Sequence, residues 1–446
     1  MNQKTLKYLI SKREKWVQSS KENNFDFDSV LSGIYNDPSN FIYEILQNAE
    51  DSGASNINFD LKEDALIISH NGRQFNFDDV NGISGVGIST KKDDINAIGK
   101  FGVGFKSVFA VTKTPIIHSG KFNFKIVDFV VPEEINSNGT EETVIILEFN
   151  HPKRSKKEAF AIIKNKLENL DLKTILFLKN IKEIKWTIND VFGYYFKVSN
   201  LIKNAKGVFT TSIIFETNTG KKEEKYIVLQ KPVLFGKKEV KIEIAYRLSD
   251  DPKKKKNVVK ERNYKLIVFF PTEKVTYLDF LIQGPYKTTP NRENIPLNDH
   301  QNQILIDETG NLIADSITTM KELGFLNVSF LEVLPIDPNN TSEIIYSAIF
   351  NKVKERLLSD EPLLPSLART FTSYKNCLLA RGKELTEILD SDDLKILFNK
   401  NSWLDSGITI DKTHELHDYL TNILDIKEVD FENFAVSIKK EFIKRK

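Results

Sequence analysis

Phe41-Ile42-Tyr43-Glu44-Ile45-Leu46-Gln47-Asn48-Ala49-Glu50-Asp51, running into Ser52-Gly53, is the stretch on which the reading of this chain turns. Asp37-Pro38-Ser39-Asn40 before it supplies a turn and helix-cap chemistry, and Gly53 ends it, so the spacing predicts a helix from about Phe41 to Ser52. At 100° per residue, Glu44, Asn48 and Asp51 fall within about 60° of one another, with Ile42, Ile45, Leu46 and Ala49 on the adjacent apolar face. A carboxylate and a carboxamide therefore project together at the edge of a core. Taken alone, such a stripe is what any amphipathic surface helix presents.

Working outward, Ile57 to Leu61 and Leu66 to Ser69 alternate around the charged turn Lys62-Glu63-Asp64, as in a hairpin. From Asn81 to Gly104 six glycines reject a regular element and suit a loop whose backbone approaches a ligand. Its second half, Ile98-Gly99-Lys100-Phe101-Gly102-Val103-Gly104-Phe105, runs into the apolar-periodic Phe105 to Val111. Glycines just before a helix N-terminus let backbone N–H groups close on an anion. The spacing is neither that of a P-loop nor that of a Rossmann fingerprint. Upstream, Gly82 to Gly87 and Ser89-Thr90-Lys91-Lys92 read as a lid with polar and cationic groups. Strands are expected at Pro115 to His118, Phe122 to Val131 and Thr143 to Phe149. A helix is expected to about Leu170, and residues 1 to 35 carry helical patterning.

The chemistry of these residue types is consistent. An Asn oxygen suits Mg²⁺, which shares its sites with water and phosphate. A Glu one turn away can orient or deprotonate an attacking water.

From Ile181 to Phe270 the chain is rich in β-branched and aromatic residues, as expected of a second, sheet-rich unit. Beyond about Pro335 it becomes mainly helical, with Glu343 to Leu358, Ala380 to Leu389 and His414 to Leu424 as examples. Between them, Gln283 to Asn294 is a turn-rich loop carrying Lys287 and Arg292, placed to deliver a cation to a terminal phosphate.

With 446 residues, three domains are expected: 1–180, 181–335 and 336–446. Lys plus Arg is 63 against 62 for Asp plus Glu, a net charge of +1, which excludes a dominant polybasic surface. The single Cys377 excludes an intramolecular disulfide and a cysteine-built zinc site. No apolar run approaches the roughly 20 residues of a membrane helix, so a soluble cytoplasmic protein without membrane contacts is expected.

The order and spacing of Glu44-x-x-x-Asn48-x-x-Asp51 and of Ile98 to Phe109 (IGKFGVGFKSVF) resemble the GHKL ATPase superfamily with its Bergerat fold. The second box is similar to that of the heat-shock branch, and Ile45 to Ser52 (ILQNAEDS) is similar to sacsin-type and related bacterial proteins. The resemblance implies an α+β chain: a Bergerat α/β sandwich, a sheet-containing middle domain, and a mainly helical C-terminal region. It implies ATP and Mg²⁺, with Glu44 as general base, Asn48 as metal ligand, Asp51 lining the pocket and Lys91 in the lid. Gly99, Phe101, Gly102, Val103, Gly104 and Phe105 would grip phosphate.

Thr143 resembles the family's Thr beside the adenine site, although Glu142 stands where a Gly usually precedes it. The family's Asp-x-Gly falls at His70-Asn71-Gly72, where only Gly72 is kept and His70 replaces the carboxylate that accepts from adenine; a neutral His70 ring nitrogen or the Asn71 carbonyl would accept that bond in its place. Arg292, then Lys287, resembles the heat-shock branch's middle-domain cation. The implied activity is that of an ATP-hydrolysing, chaperone-like switch acting on protein partners, with an ATP-dependent homodimer. Alternatives are a MORC- or MutL-like ATPase in DNA handling or antiviral defence, which the net charge disfavours, and a non-hydrolysing nucleotide-gated scaffold.

Overall fold

In the computed structural model, which describes residues 5–23, 38–85, 104–203, 205–236, 238–262, 264–289, 294–438 and 440–445, the hairpin expected around Lys62 is realised. Strands β1 (Asn56–Leu61) and β2 (Ala65–His70) pair antiparallel from Ile57↔His70 to Leu61↔Leu66. Their alternation buries Ile57, Phe59, Leu61, Leu66, Ile68 and His70 on one face. The sheet continues outward through β6 (Thr143–Glu148), β3 (Ile116–Ser119), β4 (Phe122–Val127) and β5 (Val131–Glu134). Helices α1 (Leu6–Glu22), α2 (Phe41–Asp51), α3 (Phe77–Ser84) and α4 (Lys156–Glu168) accompany it. α3 takes in Gly82, inside the stretch expected to be loop. Its start has a local cause: Asn76 and Asp79 form a reciprocal capping box.

On its other side β1 pairs parallel with β7 (Glu183–Ile188), from Asn56↔Glu183 to Leu61↔Ile188. From there β8 (Val191–Leu201), β9 (Val208–Thr217), β10 (Gly220–Phe235) and β11 (Lys238–Arg247) form an antiparallel meander. β12 (Lys265–Val268), β13 (Phe270–Val275) and β14 (Leu281–Gln283) complete it, with β14 against β11 and β12 against β14. One 14-stranded sheet therefore crosses residue 180, where a boundary was expected. Helix α5 (His300–Glu322) lies on β10 and β11 and packs against α6 (Ile344–Leu357). Tyr246 of β11 reaches Ser316 of α5 through a 2.8 Å hydroxyl pair.

The C-terminal region is helical but carries short strands. β15 (Leu364–Pro365) pairs with β16 (Phe371–Thr372). β17 (Cys377–Ala380), β18 (Ser402–Trp403) and β19 (Glu428–Val429) form a small parallel sheet in the order β18-β17-β19. The helix expected over Ala380 to Leu389 thus begins only at Lys383. The run Cys377-Leu378-Leu379 is buried on both sides, and a short continuous apolar run reads as helix or strand alike. Cys377 is buried and its thiol is pushed up to about 12 by burial, which disfavours the thiolate.

Charged groups also enter the interior in the second half of the sheet. Lys197 of β8 donates to the carbonyls of Leu176 and Leu178, and burial lowers its pKa to about 8. Glu243 of β11 is 5% exposed, accepts from Gln230 at 2.5 Å, and is pushed up to about 7 by burial, against the opposing charges of Lys197 and Lys179. A carboxyl whose folded pKa lies above its unfolded value stabilises the fold while protonated, and that contribution fades as pH rises through the folded pKa. Between pH 5 and pH 8 the wild type should lose about 2.5 kcal/mol that Glu243→Gln retains, measured by urea unfolding at both pH values. Parallel curves for the two proteins would contradict this.

Candidate functional site

Helix α2 buries Phe41, Ile42, Ile45, Leu46 and Ala49 almost completely, and each large side chain removed from water contributes about 1.5–3 kcal/mol. It ends in a Schellman turn: Gly53, at φ +78°, donates to Glu50 O at 3.0 Å, and Ala54 donates to Ala49 O at 3.0 Å. This termination fixes which side chains stay at the surface of the helix, and Glu44, Asn48 and Asp51 are all half-buried.

Near its N-terminal end, α2 packs against the 3₁₀ turn Gly104–Ala110 rather than against the α-helix expected to open at Phe105. A Cβ placed on Gly104 would run into the Glu44 carboxylate, so the first described residue after the glycine run sits directly under the carboxylate. Phe105 is buried and anchors that backbone. Gly104→Ala should therefore displace the flexible end of Glu44 without disturbing the core. We expect a change in stability below about 1 kcal/mol in thermal melts. A loss of several kcal/mol would contradict this.

The other end of α2 meets the end of β2. A Cβ on Gly72 would strike Ser52 Oγ, and Arg73 N donates to Ser52 O at 2.8 Å. His70 is 3% exposed; its Nδ1 accepts from the Gly72 N–H at 3.2 Å, and burial holds its pKa down to about 4. The ring is neutral at ordinary pH, with its proton on Nε2. Directly across the ladder from His70 is Thr143, fully buried, in a 2.6 Å hydroxyl pair with Ser119, whose Oγ also accepts from Phe75 N. Asn71 turns away: its Oδ1 accepts from Ser55 N and Asn56 N, and its Nδ2 donates to Ser55 Oγ. Both lone pairs of that oxygen are engaged in holding the start of β1, which leaves Asn71 a local tether.

Four residues unnoticed in the sequence build this site. Glu50 accepts three successive backbone N–H groups, from Lys179, Asn180 and Ile181 at 2.7–3.2 Å, and so ties α2 to the segment entering β7. Lys106, 2% exposed, donates to Ile83 O at 2.9 Å and Phe129 O at 2.5 Å, and its pKa is lowered by burial and by the neighbouring charge of Arg13. Arg13 of α1 donates to Asn81 at the main-chain and side-chain oxygens, 3.1 and 3.0 Å. Two basic side chains thus donate to the carbonyl end of α3. Ser119 is the fourth. Their partners are mostly backbone atoms far along the chain; a Lys or Glu inside an otherwise apolar run was the available signal.

In the second half of the chain, Asn302 of α5 is completely buried and spans the loop after β14: Oδ1 accepts from Lys287 N at 2.8 Å, and Nδ2 donates to Lys287 O and Pro296 O at 3.0 and 2.9 Å. Thr289 N closes the loop onto Asn294 O at 2.9 Å. The Lys287 ammonium is paired with Asp299 at 2.7 Å. Arg292, Lys91, Gly99, Phe101, Gly102 and Val103 lie outside the described residues. Glu44, Asn48, Asp51, His70, Gly72, Gly104, Phe105 and Thr143 gather around α2 and the β2–β6 end of the sheet, while Lys287 belongs to the separate loop after β14.

Residues 60–158 match the Sacsin domain. The chain is 24% identical over 349 residues to Protein NO VEIN of Arabidopsis thaliana, covering 68% of this chain and 12% of that protein. It is 34% identical over 107 residues to human Sacsin, covering 20% of this chain and 2% of that protein. The chain thus spans a small part of the length of these relatives. A solved N-terminal domain of a DNA repair protein aligns with TM-score 0.34 and 14% identity over 62% of this chain and 92% of that one. Among the described residues no helix is long and apolar enough to cross a membrane.

Proposed function

We propose that this chain binds a Mg²⁺-complexed purine nucleoside triphosphate, ATP by the family resemblance, in a Bergerat-type site and hydrolyses it to drive a conformational change acting on protein partners. The observation that carries this reading is the seating of the Glu44 carboxylate on Gly104, which brings a general base to the end of a glycine-rich segment suited to phosphate. Asn48, one turn along α2, would hold the metal, and its amide oxygen suits a hard cation that keeps most of its ligands from water and phosphate. Asp51, Thr143 and His70 would face the nucleoside. Lys287 and Arg292, on the loop held by Asn302, would supply positive charge at the terminal phosphate. Glu50 gives α2 a mechanical link to the second half of the sheet, so a shift of α2 on nucleotide binding would be passed to β7 and β8. The likeness of Ile98 to Phe109 to the heat-shock branch's box supports a chaperone-like role.

Titration of wild type with Mg²⁺-ATP by calorimetry should show binding that Asn48→Ala weakens roughly tenfold, with the difference disappearing when Mg²⁺ is chelated. Identical metal-dependent affinities would overturn the assignment of Asn48, and absence of binding in both would overturn the nucleotide reading.

A further inference from the structure

The short helix His414–Asp418, in the C-terminal region, is held by charge on two sides. On one side Lys260 Nζ lies 2.5 Å from Glu415 and 3.8 Å from Asp279, and Arg262 pairs with the second Glu415 oxygen. On the other, His417 Nε2 lies 3.0 Å from Glu428 of β19, whose second oxygen pairs with Arg381 at 2.5 Å. His414 and His417 also approach Asp418, at 3.3 and 3.6 Å. The helix passes directly into a π turn, Tyr419–Ile423, a geometry rare in proteins and frequent at functional sites. Tyr419 buries there a hydroxyl with no hydrogen-bond partner among the described residues, which weakens the packing of this turn.

The Lys260 side is not balanced in charge. Lys260 and Arg262 stand before β12, Asp279 stands before β14, and Glu332 closes the short helix Val328–Leu331 and feels the charges of both Lys260 and Glu415. With all of them ionised, three carboxylates share two cations among the described residues, and Asp279, Glu332 and Glu415 are each half-buried. We propose that the seating of helix His414–Asp418 on this cluster is an acid-strengthened latch, firm while Asp279 and Glu332 carry protons and loosened when they ionise. A neutral Asp279 leaves the Lys260 ammonium to Glu415, whereas an ionised one draws on the same ammonium and repels Glu415. Burial pushes Asp279 up to about 6, against the pull of Lys260 and Arg262 and with the push of Glu415; burial raises Glu332 too. Burial acts on Glu415 in the same sense, but Lys260 and Arg262 outweigh it and hold that carboxyl below its ordinary value, so it stays charged. Tyr346, which also faces Asp279, is raised by burial and stays neutral. A carboxyl whose folded pKa lies above its ordinary value stabilises the closed state at low pH, and the contribution is lost as pH rises through the folded pKa.

The test is amide hydrogen exchange of the full chain at pH 5 and pH 7.5, corrected for the intrinsic pH dependence of exchange, with residues 414–429 followed against α5 as an internal standard. In wild type the protection of 414–429 should fall roughly tenfold from the lower to the higher pH, while α5 holds. Asp279→Asn, which keeps the neutral shape of the protonated carboxyl, should retain the low-pH protection of 414–429 at pH 7.5. This comparison also separates the carboxyl from His414 and His417, which the variant leaves in place. Equal wild-type protection at the two pH values would overturn the latch, as would Asp279→Asn following the wild-type dependence. Parallel loss of protection in α5 would make the change global and overturn it equally. Should Asp279→Asn not fold, Glu332→Gln repeats the test from a different element: protection held at pH 7.5 supports the latch, and the wild-type dependence overturns it.

Discussion

Glu44→Gln is expected to lower turnover roughly a hundredfold or more while leaving nucleotide affinity within about threefold of wild type. The amide keeps the volume and the reach of the carboxylate, so the packing over Gly104 survives, but it cannot take a proton from water. The effect should therefore fall on kcat and leave KM nearly unchanged, as when a group acts in the transition state alone. Single-turnover kinetics with saturating protein separate this from slow product release. A variant that hydrolyses at the wild-type rate would remove Glu44 from the chemistry, and one that no longer binds would make it a binding residue.

Asn302→Ala should act on both stability and turnover. Its carboxamide is the common partner of two main-chain groups of Lys287 and of the Pro296 carbonyl, all in a buried place, and leaving them unsatisfied should cost about 3 kcal/mol in chemical unfolding. The loop would lose the clamp that spans its two sides, and Lys287 would no longer be held in place. Turnover is expected to fall by roughly tenfold or more, with nucleotide affinity much less affected. Lys287→Ala supplies the comparison, since it removes one charge and keeps the clamp. If Asn302→Ala destabilises the protein yet hydrolyses normally below its unfolding temperature, the loop has no part in the reaction.

The elements around α2 were legible because their determinants are local. The polar stripe, the glycine in left-handed conformation at the helix end and the alternation of the hairpin each lie within a dozen residues. What joins them was not. Glu44 and Gly104 are 60 residues apart, and only the fold brings the carboxylate onto the glycine. Glu50 sits on the same helix as the expected site residues and looks like one more member of the polar stripe, yet it is buried and taken up by backbone amides 129–131 residues away. Asn71 misleads in the opposite sense, being the right residue type beside the right strand, with its side chain committed to Ser55 and Asn56. The start of the helix near Ala380 was misread because a short apolar run has no period to distinguish strand from helix. His70 drew notice as a departure from a family pattern, and its surroundings define the departure: the ring is neutral and presents a donor.

The parallel ladder between β1 and β7 bears on how the protein can be handled in pieces. Six consecutive residues of β1 are covered on that side only by chain that follows residue 182. A fragment cut at the expected boundary near 180 would keep the whole of α2 and the His70 end of the sheet, but would bare a row of amide and carbonyl groups along Asn56 to Leu61. Such an edge invites pairing with other molecules and precipitation. An independent fragment carrying α2 should instead run through β8 at least, so that β7 is itself flanked and Glu50 keeps the amides of residues 179–181.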